Sequence, residues 1–330
     1  MKKLTVLSIV HFCVDMACAV LFFGRLSRGG DGWLYMVLYN ACAFALQLPL
    51  GLAADRLNRN LPFAATGCAL VAAGFLLTGV PLLSAVVCGL GNGMFHVGGG
   101  LEVLNEGNQA APLGVFVSPG AVGLYLGTAF AEWFCGHPQA MPLLMGASLL
   151  AILFCGDQKG LGSQNAPLSL PKGDILPLLC LFLVVALRSL LGSFAFSTGS
   201  LSLPGLVPVL CLALGKAAGG FLGDVLGFRK TAVLSLGATA VLLLLPWAYG
   251  TLLALFLFNM TMPLTLHGAA RLLPGAKGTA FGLLTLALFV GMVPRFLGVS
   301  QAQPALLWAG LALLSLGLLW IGLGKAVAHE

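Results

Sequence analysis

The sequence has few charged residues for its length, and long apolar segments stand in their place. Asp, Glu, Lys and Arg make up 8% of the 330 residues, whereas the apolar set makes up 59%. Apolar runs of about 20 residues, the length that crosses a bilayer, recur from end to end. A soluble domain cannot hide so much apolar surface. Twelve such spans would use roughly 240 residues and leave only short connections, so no separate soluble domain fits.

Several chemical motifs are also missing. The nucleotide-binding pattern G-x-x-x-x-G-K-[ST] does not occur, which argues against an ATP-driven pump. The nine cysteines form no C-x-x-C pair, and we interpret them as small buried apolar residues. We therefore expect no cofactor and no metal site. The first apolar run carries His11 and Asp15 and lacks a small-residue cleavage site, so we interpret it as a retained helix and not a signal peptide.

The hydropathy pattern predicts an all-α membrane protein with twelve transmembrane helices in two pseudo-symmetric halves. The predicted helices cover residues 4–24, 33–54, 61–79, 82–104, 112–134, 140–155, 175–197, 203–223, 230–249, 251–272, 277–296 and 303–324. The only sizeable linker, 156–174, is polar and contains Gly and Pro, as expected between two domains. The sequence thus predicts an N-terminal six-helix half at 1–155, a cytoplasmic linker, and a C-terminal six-helix half at 175–330.

A short charged turn occurs twice in the chain, half a chain apart. The first copy, at 51–59, contains Gly51, Asp55, Arg56 and Arg59 between two apolar runs. The second copy, about 169 residues later, contains Gly220, Asp224, Arg229 and Lys230. The Gly-to-Asp spacing is four residues in both copies. A turn repeated in this way indicates two copies of one membrane unit.

This turn resembles the signature loop G-x-x-x-D-R-x-G-R-[KR] of the major facilitator superfamily, between its second and third helices. Asn58 stands where that pattern has Gly, and Asn tolerates the left-handed backbone conformation that we expect there. The weaker second copy lies between helices eight and nine of that family, as it does here. The resemblance implies a secondary transporter, and not an enzyme, that works by alternating access. We expect Asp55, with Arg56 and Arg59, to hold the cytoplasmic ends of the two halves together in the outward-open state, and Asp224 to do so more weakly.

The distribution of basic residues predicts the orientation in the membrane. With the N-terminus inside, ten basic residues are cytoplasmic: Lys2, Lys3, Arg56, Arg59, Lys159, Lys172, Arg229, Lys230, Lys277 and Lys325. Arg25, Arg28 and Arg295 are on the outside. We therefore expect both termini in the cytoplasm and a location in the cell (inner) membrane. The net charge of +6 then reflects contact with anionic lipid and not with nucleic acid.

Ionisable side chains inside apolar segments are costly and usually face a cavity or a partner. Most of those in this chain fall in predicted helices 1, 4, 7 and 10, the four that line the central cavity of the family it resembles. The candidate substrate- and proton-binding residues are His11 and Asp15, then Asn92, His96 and Glu102, then Arg188, and finally Asn259, His267 and Arg271. Lys216 is an exception in helix 8. Glu102 and Arg271 lie near inner helix ends, where snorkelling to the interface is an equal alternative.

These residues suggest proton-linked binding. By residue count Asp15 and Arg188 both lie near the membrane midplane, on repeat-related helices, so they could face each other across the cavity. A nearby cation changes the proton affinity of a carboxylate, and an arginine offers a planar fork for a carboxylate or phosphate. An anionic substrate could then compete with Asp15 for Arg188, or a cationic one could compete with a proton for Asp15 or Glu102. The sequence does not decide between these alternatives.

Glycines mark helices 4, 5 and 11. The stretch Ser118-Pro119-Gly120 with Gly123 partly matches the G-P-x-x-G motif of the superfamily's proton-driven exporters; ordinary close packing is the alternative. We therefore expect a monomeric proton-coupled exporter of a small organic compound, of the multidrug or fosmidomycin-resistance kind. Alternatives are a proton-coupled importer of an organic anion, a channel, and an intramembrane enzyme. The enzyme would use His96 and Glu102, but six residues place them about 120° apart on a helix.

Overall fold

A computed structural model gives the structure of residues 2–156, 173–196, 204–245, 247–299 and 304–328. Every regular element in these ranges is helical, which confirms the all-α prediction. The α-helices are α1 (Lys2–Gly24), α2 (Gly32–Asn40), α3 (Gln47–Leu57), α4 (Asn60–Leu76), α5 (Pro81–Asn105), α6 (Ala111–Val117), α7 (Pro119–Ala129), α8 (Ala131–Cys135), α9 (Ala140–Phe154), α10 (Ile175–Phe194), α11 (Leu206–Leu226), α12 (Phe228–Ala232), α13 (Ala238–Leu244), α14 (Ala248–Asn259), α15 (Thr261–Leu272), α16 (Lys277–Phe296) and α17 (Ala305–Ala328). A 3₁₀ turn covers Leu26–Arg28, and π-helical segments at Ala41–Ala45 and Val233–Gly237 continue α2 into α3 and α12 into α13.

Nine helical stretches among the described residues, some of them with a one-residue break, are long and apolar enough to cross a bilayer. Two further apolar helices, α4 and α9, are shorter. Large apolar side chains on these helices are exposed, among them Leu76, Phe154 and Val225, as expected for a lipid-facing surface. The chain is therefore a multi-pass membrane protein. The predicted number of twelve spans stays a prediction, because α4, α9 and the stretch from α12 to α13 fall outside the nine.

Proline interrupts two of the predicted helices. Predicted helix 5 is divided into α6 and α7 at Ser118, since Pro119 has no N–H to donate to the preceding turn. The hydroxyl of Ser118 donates to the Gly114 carbonyl at 2.6 Å. Predicted helix 10 is divided at Met260, three residues before Pro263. Side-chain hydroxyls accompany both breaks, since that of Thr261 donates to the Phe258 carbonyl at 2.9 Å.

The chain forms two compact units. Unit 1 comprises Met1–Gly107, Pro119–Ala166 and Gly275–Gly282, and unit 2 comprises Asn108–Ser118, Pro167–Pro274 and Leu283–Glu330. Each unit thus takes a short segment from the other half of the sequence. The predicted domain limits near 155 and 175 lie at the edges of a linker whose residues 157–172 are outside the described residues, so the linker stays a prediction.

Glycines allow close helix packing in each unit. In unit 1, Gly67 of α4 lies where a Cβ would meet the Phe95 nitrogen at 2.5 Å and the Gly91 carbonyl at 2.6 Å. In unit 2, Gly215 and Gly219 of α11 face the carbonyls of Phe256 and Met260. Because glycine has no side chain, the main chains approach closely and gain dispersion contacts. Such packing drives helix association in lipid, where the hydrophobic effect does not.

Candidate functional site

Two histidines and an aspartate form a cluster in unit 1. The Nε2 atoms of His11 and His96 are 2.9 Å apart. Oδ2 of Asp15 is 3.3 Å from Nε2 of His11, and Oδ1 of Asp15 is 3.6 Å from Nε2 of His96. The His11 side chain is 5% exposed, against 20% for Asp15 and 16% for His96. Three titratable groups are therefore in mutual contact on the largely buried surface of α1 and α5.

Asn92 connects the cluster to the main chain of α5. Its side-chain amide nitrogen donates to Oδ1 of Asp15 at 3.2 Å, and its main-chain carbonyl oxygen is 2.9 Å from Nδ1 of His96. A carbonyl only accepts hydrogen bonds, so Nδ1 of His96 must carry a proton. The lone pair of a neutral His96 is then on Nε2, which faces His11 and Asp15. Helical geometry fixes this arrangement, since Asn92 and His96 are four residues apart on one face of α5.

The neighbouring helix α7 leaves room for the cluster because Gly120 faces it. A Cβ at Gly120 would contact both Nε2 of His11 and Oδ2 of Asp15. Further along α7, Gly123 and Gly127 lie against the carbonyls of Phe12 and Met16. The glycines of the predicted exporter-like motif therefore pack α7 closely on α1.

Sequence reasoning missed two neighbours of the cluster. Cys18, one turn after Asp15 on α1, accepts a hydrogen bond from the Asn92 amide at 3.4 Å. Its sulfur is also 3.6 Å from that of Cys88. The spacing of Asp15 and Cys18 was a usable signal for the first thiol, whereas only the packing of α5 against α1 brings Cys88 here.

Glu102 does not join this cluster. Its side chain is 0% exposed and accepts hydrogen bonds from Nζ of Lys3 at 2.9 Å and from the amide of Asn60 at 2.9 Å. Both carboxylate oxygens are thus engaged by donors, one of them cationic. The contacts are those of a buried ion pair that joins the start of α1 to the end of α5, and not of an interfacial snorkelling side chain.

Arg188 is a buried cation of unit 2. The residue lies on α10 and is 7% exposed. Its Nη1 atom is buried and has no hydrogen-bond partner among the described residues. Unpaired buried guanidinium nitrogens are costly, so this one is a candidate to receive an acceptor from a ligand. Asp15 belongs to unit 1 and Arg188 to unit 2, so their predicted pairing stays a prediction.

Two ionisable residues of α15 pack on one aromatic ring. The ring of buried His267 meets the Phe228 ring edge-on, with centroids 5.5 Å apart. The guanidinium of Arg271, one turn later, lies 5.1 Å from the Phe228 centroid, and its Nη2 donates to the Asn108 carbonyl at 3.2 Å. Asn259, at the end of α14, uses its amide to donate to the Leu255 carbonyl of its own helix at 2.8 Å. The first contacts join α15 to Phe228 and Asn108, and the Asn259 contact stabilises the end of α14.

The aspartate of the first charged turn binds a helix N-terminus within unit 1. Oδ1 of Asp55 accepts the Gly278 N–H at 2.8 Å, and Oδ2 accepts the N–H and the hydroxyl of Thr279, both at 2.7 Å. These residues belong to the first turn of α16, whose N–H groups have no partner inside the helix. Gly51 lies against the Gly278 carbonyl, with no room for a Cβ. The sequence did not predict that Asp55 binds the first turn of α16.

The second turn repeats this arrangement within unit 2. The carboxylate of Asp224 accepts the N–H groups of Ala110 and Ala111, each at 2.8 Å, at the start of α6. A Cβ on Gly220 would meet the Ala110 carbonyl at 2.7 Å. The Asp224 residue is exposed, whereas Asp55 is 8% exposed and has one more donor. The two carboxylates are thus alike in chemistry and unequal in burial, and the weaker gating role of Asp224 stays a prediction.

The residue three positions after each aspartate has a positive φ. Asn58 has φ 48° and ψ 42°, the left-handed conformation expected from the sequence, and Gly227 has φ 87°. Both residues end a helix, because the Asn58 N–H bonds to Ala54 and the Gly227 N–H to Gly223. Arg229 lies 4.8 Å from the Trp320 ring centroid, and Arg56, Arg59 and Lys230 are exposed.

We compared the sequence and the structure with those of known proteins. No family profile matches the sequence, and no curated protein matches it. Solved structures do match along the whole chain. The human organic anion transporter MFSD10 (TETRAN) is 17% identical with a TM-score of 0.72, covering 96% of this chain and 99% of its own. A bacterial homologue of the iron transporter ferroportin is 14% identical with a TM-score of 0.68, covering 100% and 99%.

The Escherichia coli fucose:proton symporter FucP is 12% identical with a TM-score of 0.65, covering 99% of this chain and 98% of its own. FucP is described as a major facilitator superfamily transporter. Long apolar helices without strands, in the described part of the chain, define a helical membrane protein. Its fold is the major facilitator fold, as the duplicated turn predicted.

Proposed function

We propose that this protein is a proton-coupled secondary transporter that exports a small organic solute by alternating access. The observation that carries the proposal is the contact among His11, Asp15 and His96 in otherwise apolar helices. Ionisable groups at that depth are expensive and mark ion or substrate pathways. Imidazoles exchange protons near neutral pH, so a carboxylate between two of them is a suitable proton carrier.

The fold supports a transporter and not an enzyme. FucP is a fucose:proton symporter. The second structure is a homologue of the iron transporter ferroportin, and MFSD10 is an organic anion transporter. The enzyme alternative needs His96 and Glu102 at one reaction centre, but Glu102 is engaged by Lys3 and Asn60. We further propose a monomer in the cell (inner) membrane, with both termini in the cytoplasm and protons and a small molecule as its partners.

A specific observation favours the second candidate, an importer of an organic anion. Nη1 of Arg188 is a buried donor without a partner among the described residues. A carboxylate or phosphate would supply the missing acceptor in a bidentate geometry that Lys cannot reproduce. An anion site at Arg188 is compatible with import and with export. It therefore supports an anionic substrate and does not distinguish the two directions of transport.

The test of proton coupling is transport in proteoliposomes by an Asp15→Asn variant. The substrate is first identified by thermal shift of the purified protein against metabolite and drug libraries at two pH values. Asp15→Asn is expected to abolish transport driven by a pH gradient and to spare substrate exchange at equal pH. Asp31→Asn, at an exposed turn, is the matched control and is expected to behave like the wild type. Full gradient-driven transport by a folded Asp15→Asn protein would remove Asp15 from the mechanism.

The test of the anion site is Arg188→Lys, which keeps the charge and loses the planar fork. Binding of an anionic substrate is expected to weaken, with less effect on the coupling to protons. If Asp15 and Arg188 were only a static ion pair, each single variant would lower the melting temperature and a charge-swapped pair would restore both stability and transport. Unchanged affinity for the substrate in Arg188→Lys would exclude the anion site.

A further inference from the structure

We propose that His11, Asp15 and His96 form a binding site for a divalent transition-metal ion. One ligand atom from each of the three side chains lies within 4.8 Å of the other two. Two imidazoles with one carboxylate are a donor set that proteins use for zinc and for iron(II). The sequence alone predicted no metal site, because His96 is 85 residues from His11 and only the packing of α5 on α1 brings them together.

The separations suit one ion. With metal–ligand bonds of about 2.0–2.1 Å, donor atoms of a tetrahedral site lie about 3.3 Å apart. The measured separations are 2.9 Å between the two Nε2 atoms, 3.3 Å from His11 to Oδ2 of Asp15, and 3.6 Å from His96 to Oδ1. The two Asp15 distances end on different carboxylate oxygens, so a turn of the carboxylate would bring one oxygen onto the same ion as the two Nε2 atoms.

An outer contact already holds His96 in the form that binds metal. Nδ1 of His96 faces the Asn92 carbonyl at 2.9 Å, which requires the proton on Nδ1 and leaves Nε2 as the ligand. Histidines that bind metals usually donate their other N–H to a carbonyl or carboxylate in this way. The Asn92 amide also donates to Asp15 at 3.2 Å, so one residue orients two of the three ligands.

The surroundings indicate an exchangeable ion and not a sealed structural one. The three protein ligands leave a fourth position open, and the partial exposure of Asp15 and His96 provides access to it. Gly120 leaves the space beside His11 and Asp15 that a larger side chain would fill. Imidazole ligands favour zinc, cobalt, nickel and iron over magnesium and calcium, which prefer oxygen.

The experiment measures metal binding alone, so its result does not depend on the proposed transport function. Purified full-length protein in detergent, without a polyhistidine tag, is titrated with Co²⁺, and Zn²⁺ is then added. We expect one Co²⁺ per chain with visible absorption, displacement by Zn²⁺, and no displacement by excess Mg²⁺. His11→Gln and His96→Gln should each weaken binding at least about tenfold. His137→Gln, at an exposed histidine whose Nδ1 faces the Trp133 carbonyl, should leave it unchanged.

Two further measurements keep the proposal testable if a variant does not fold. His96→Cys retains a ligand and should add a thiolate-to-cobalt charge-transfer band. X-ray absorption of the zinc-loaded wild type should show two imidazoles at about 2.0–2.1 Å. The proposal is overturned by the absence of one-to-one binding, by displacement with Mg²⁺, by a zinc shell without imidazole, or by equal loss of affinity in the His137→Gln control.

Discussion

Replacement of Asp55 by Asn tests the role of the first charged turn most directly. The carboxylate receives three hydrogen bonds from the first turn of α16. An Asn can keep the bond from Gly278, but it has no charge and turns an NH₂ group towards the Thr279 N–H. A buried donor left without an acceptor costs about 1–3 kcal/mol. Loss of the charge at a helix N-terminus adds about 0.3–2 kcal/mol, so we expect a total between about 1.3 and 5 kcal/mol.

Hydrogen exchange measures this loss of stability at the amides of Gly278 and Thr279. Gly278 and Thr279 are in the first turn of α16, where no carbonyl of the same helix accepts their N–H groups. Their protection therefore depends on Asp55. A loss of 2 kcal/mol corresponds to about 30-fold faster exchange, since 1.36 kcal/mol is tenfold. The Ala280 amide, which bonds to the Ala276 carbonyl at 2.9 Å, is the internal reference.

The outward-open part of the hypothesis needs a second assay. In a background without the nine native cysteines, Leu104→Cys places a thiol at a site that is 3% exposed, at the end of α5. Adding Asp55→Asn is expected to increase its labelling, towards the inward-open pattern. Asp224→Asn is the matched comparison and is expected to have a smaller effect, because its carboxylate is exposed and has two donors. Unchanged exchange at Gly278 and Thr279, or unchanged labelling, would refute the reasoning.

Three further predictions concern stability, measured by the melting temperature in detergent. Asn58→Gly is expected to be neutral or stabilising, whereas Asn58→Ala should cost about 1 kcal/mol, because Ala disfavours a positive φ; equal effects would contradict the conformational argument. Glu102→Gln should destabilise by about 3–5 kcal/mol, since it leaves the Lys3 cation without its buried partner; a neutral result would mean that Lys3 moves to solvent. Gly123→Ala should destabilise through contact with α1, whereas Gly146→Ala, which meets nothing, should stabilise by about 0.5–1 kcal/mol.

The sequence was sufficient for the fold class because bilayer insertion is a local property of composition. Runs of about 20 apolar residues have one low-energy structure in lipid, an α-helix, whatever their neighbours are. The duplicated turn was equally readable, since Gly51 and Asp55 recur as Gly220 and Asp224 at the same spacing. The left-handed conformation at Asn58 also followed from local chemistry.

Helix breaks were less readable than helix positions. The prolines at 119 and 263 were visible, but hydropathy continues across both breaks, so a single helix was predicted in each place. Whether a proline bends or divides a helix depends on which donors reach the freed carbonyls, and hydropathy carries no information about those donors.

Only the tertiary structure decided which ionisable residues share a site. His11 and Asp15 were a pair by helical spacing, as were Asn92 and His96, but the contact between the two pairs depends on how α5 packs against α1. The same packing removed Glu102 from the candidate cluster by placing it against Lys3. Distances between helices depend on side-chain volume and on glycines such as Gly120, which a sequence pattern does not convert into coordinates. Helical periodicity therefore determined the face on which each residue lies, and packing determined its partner.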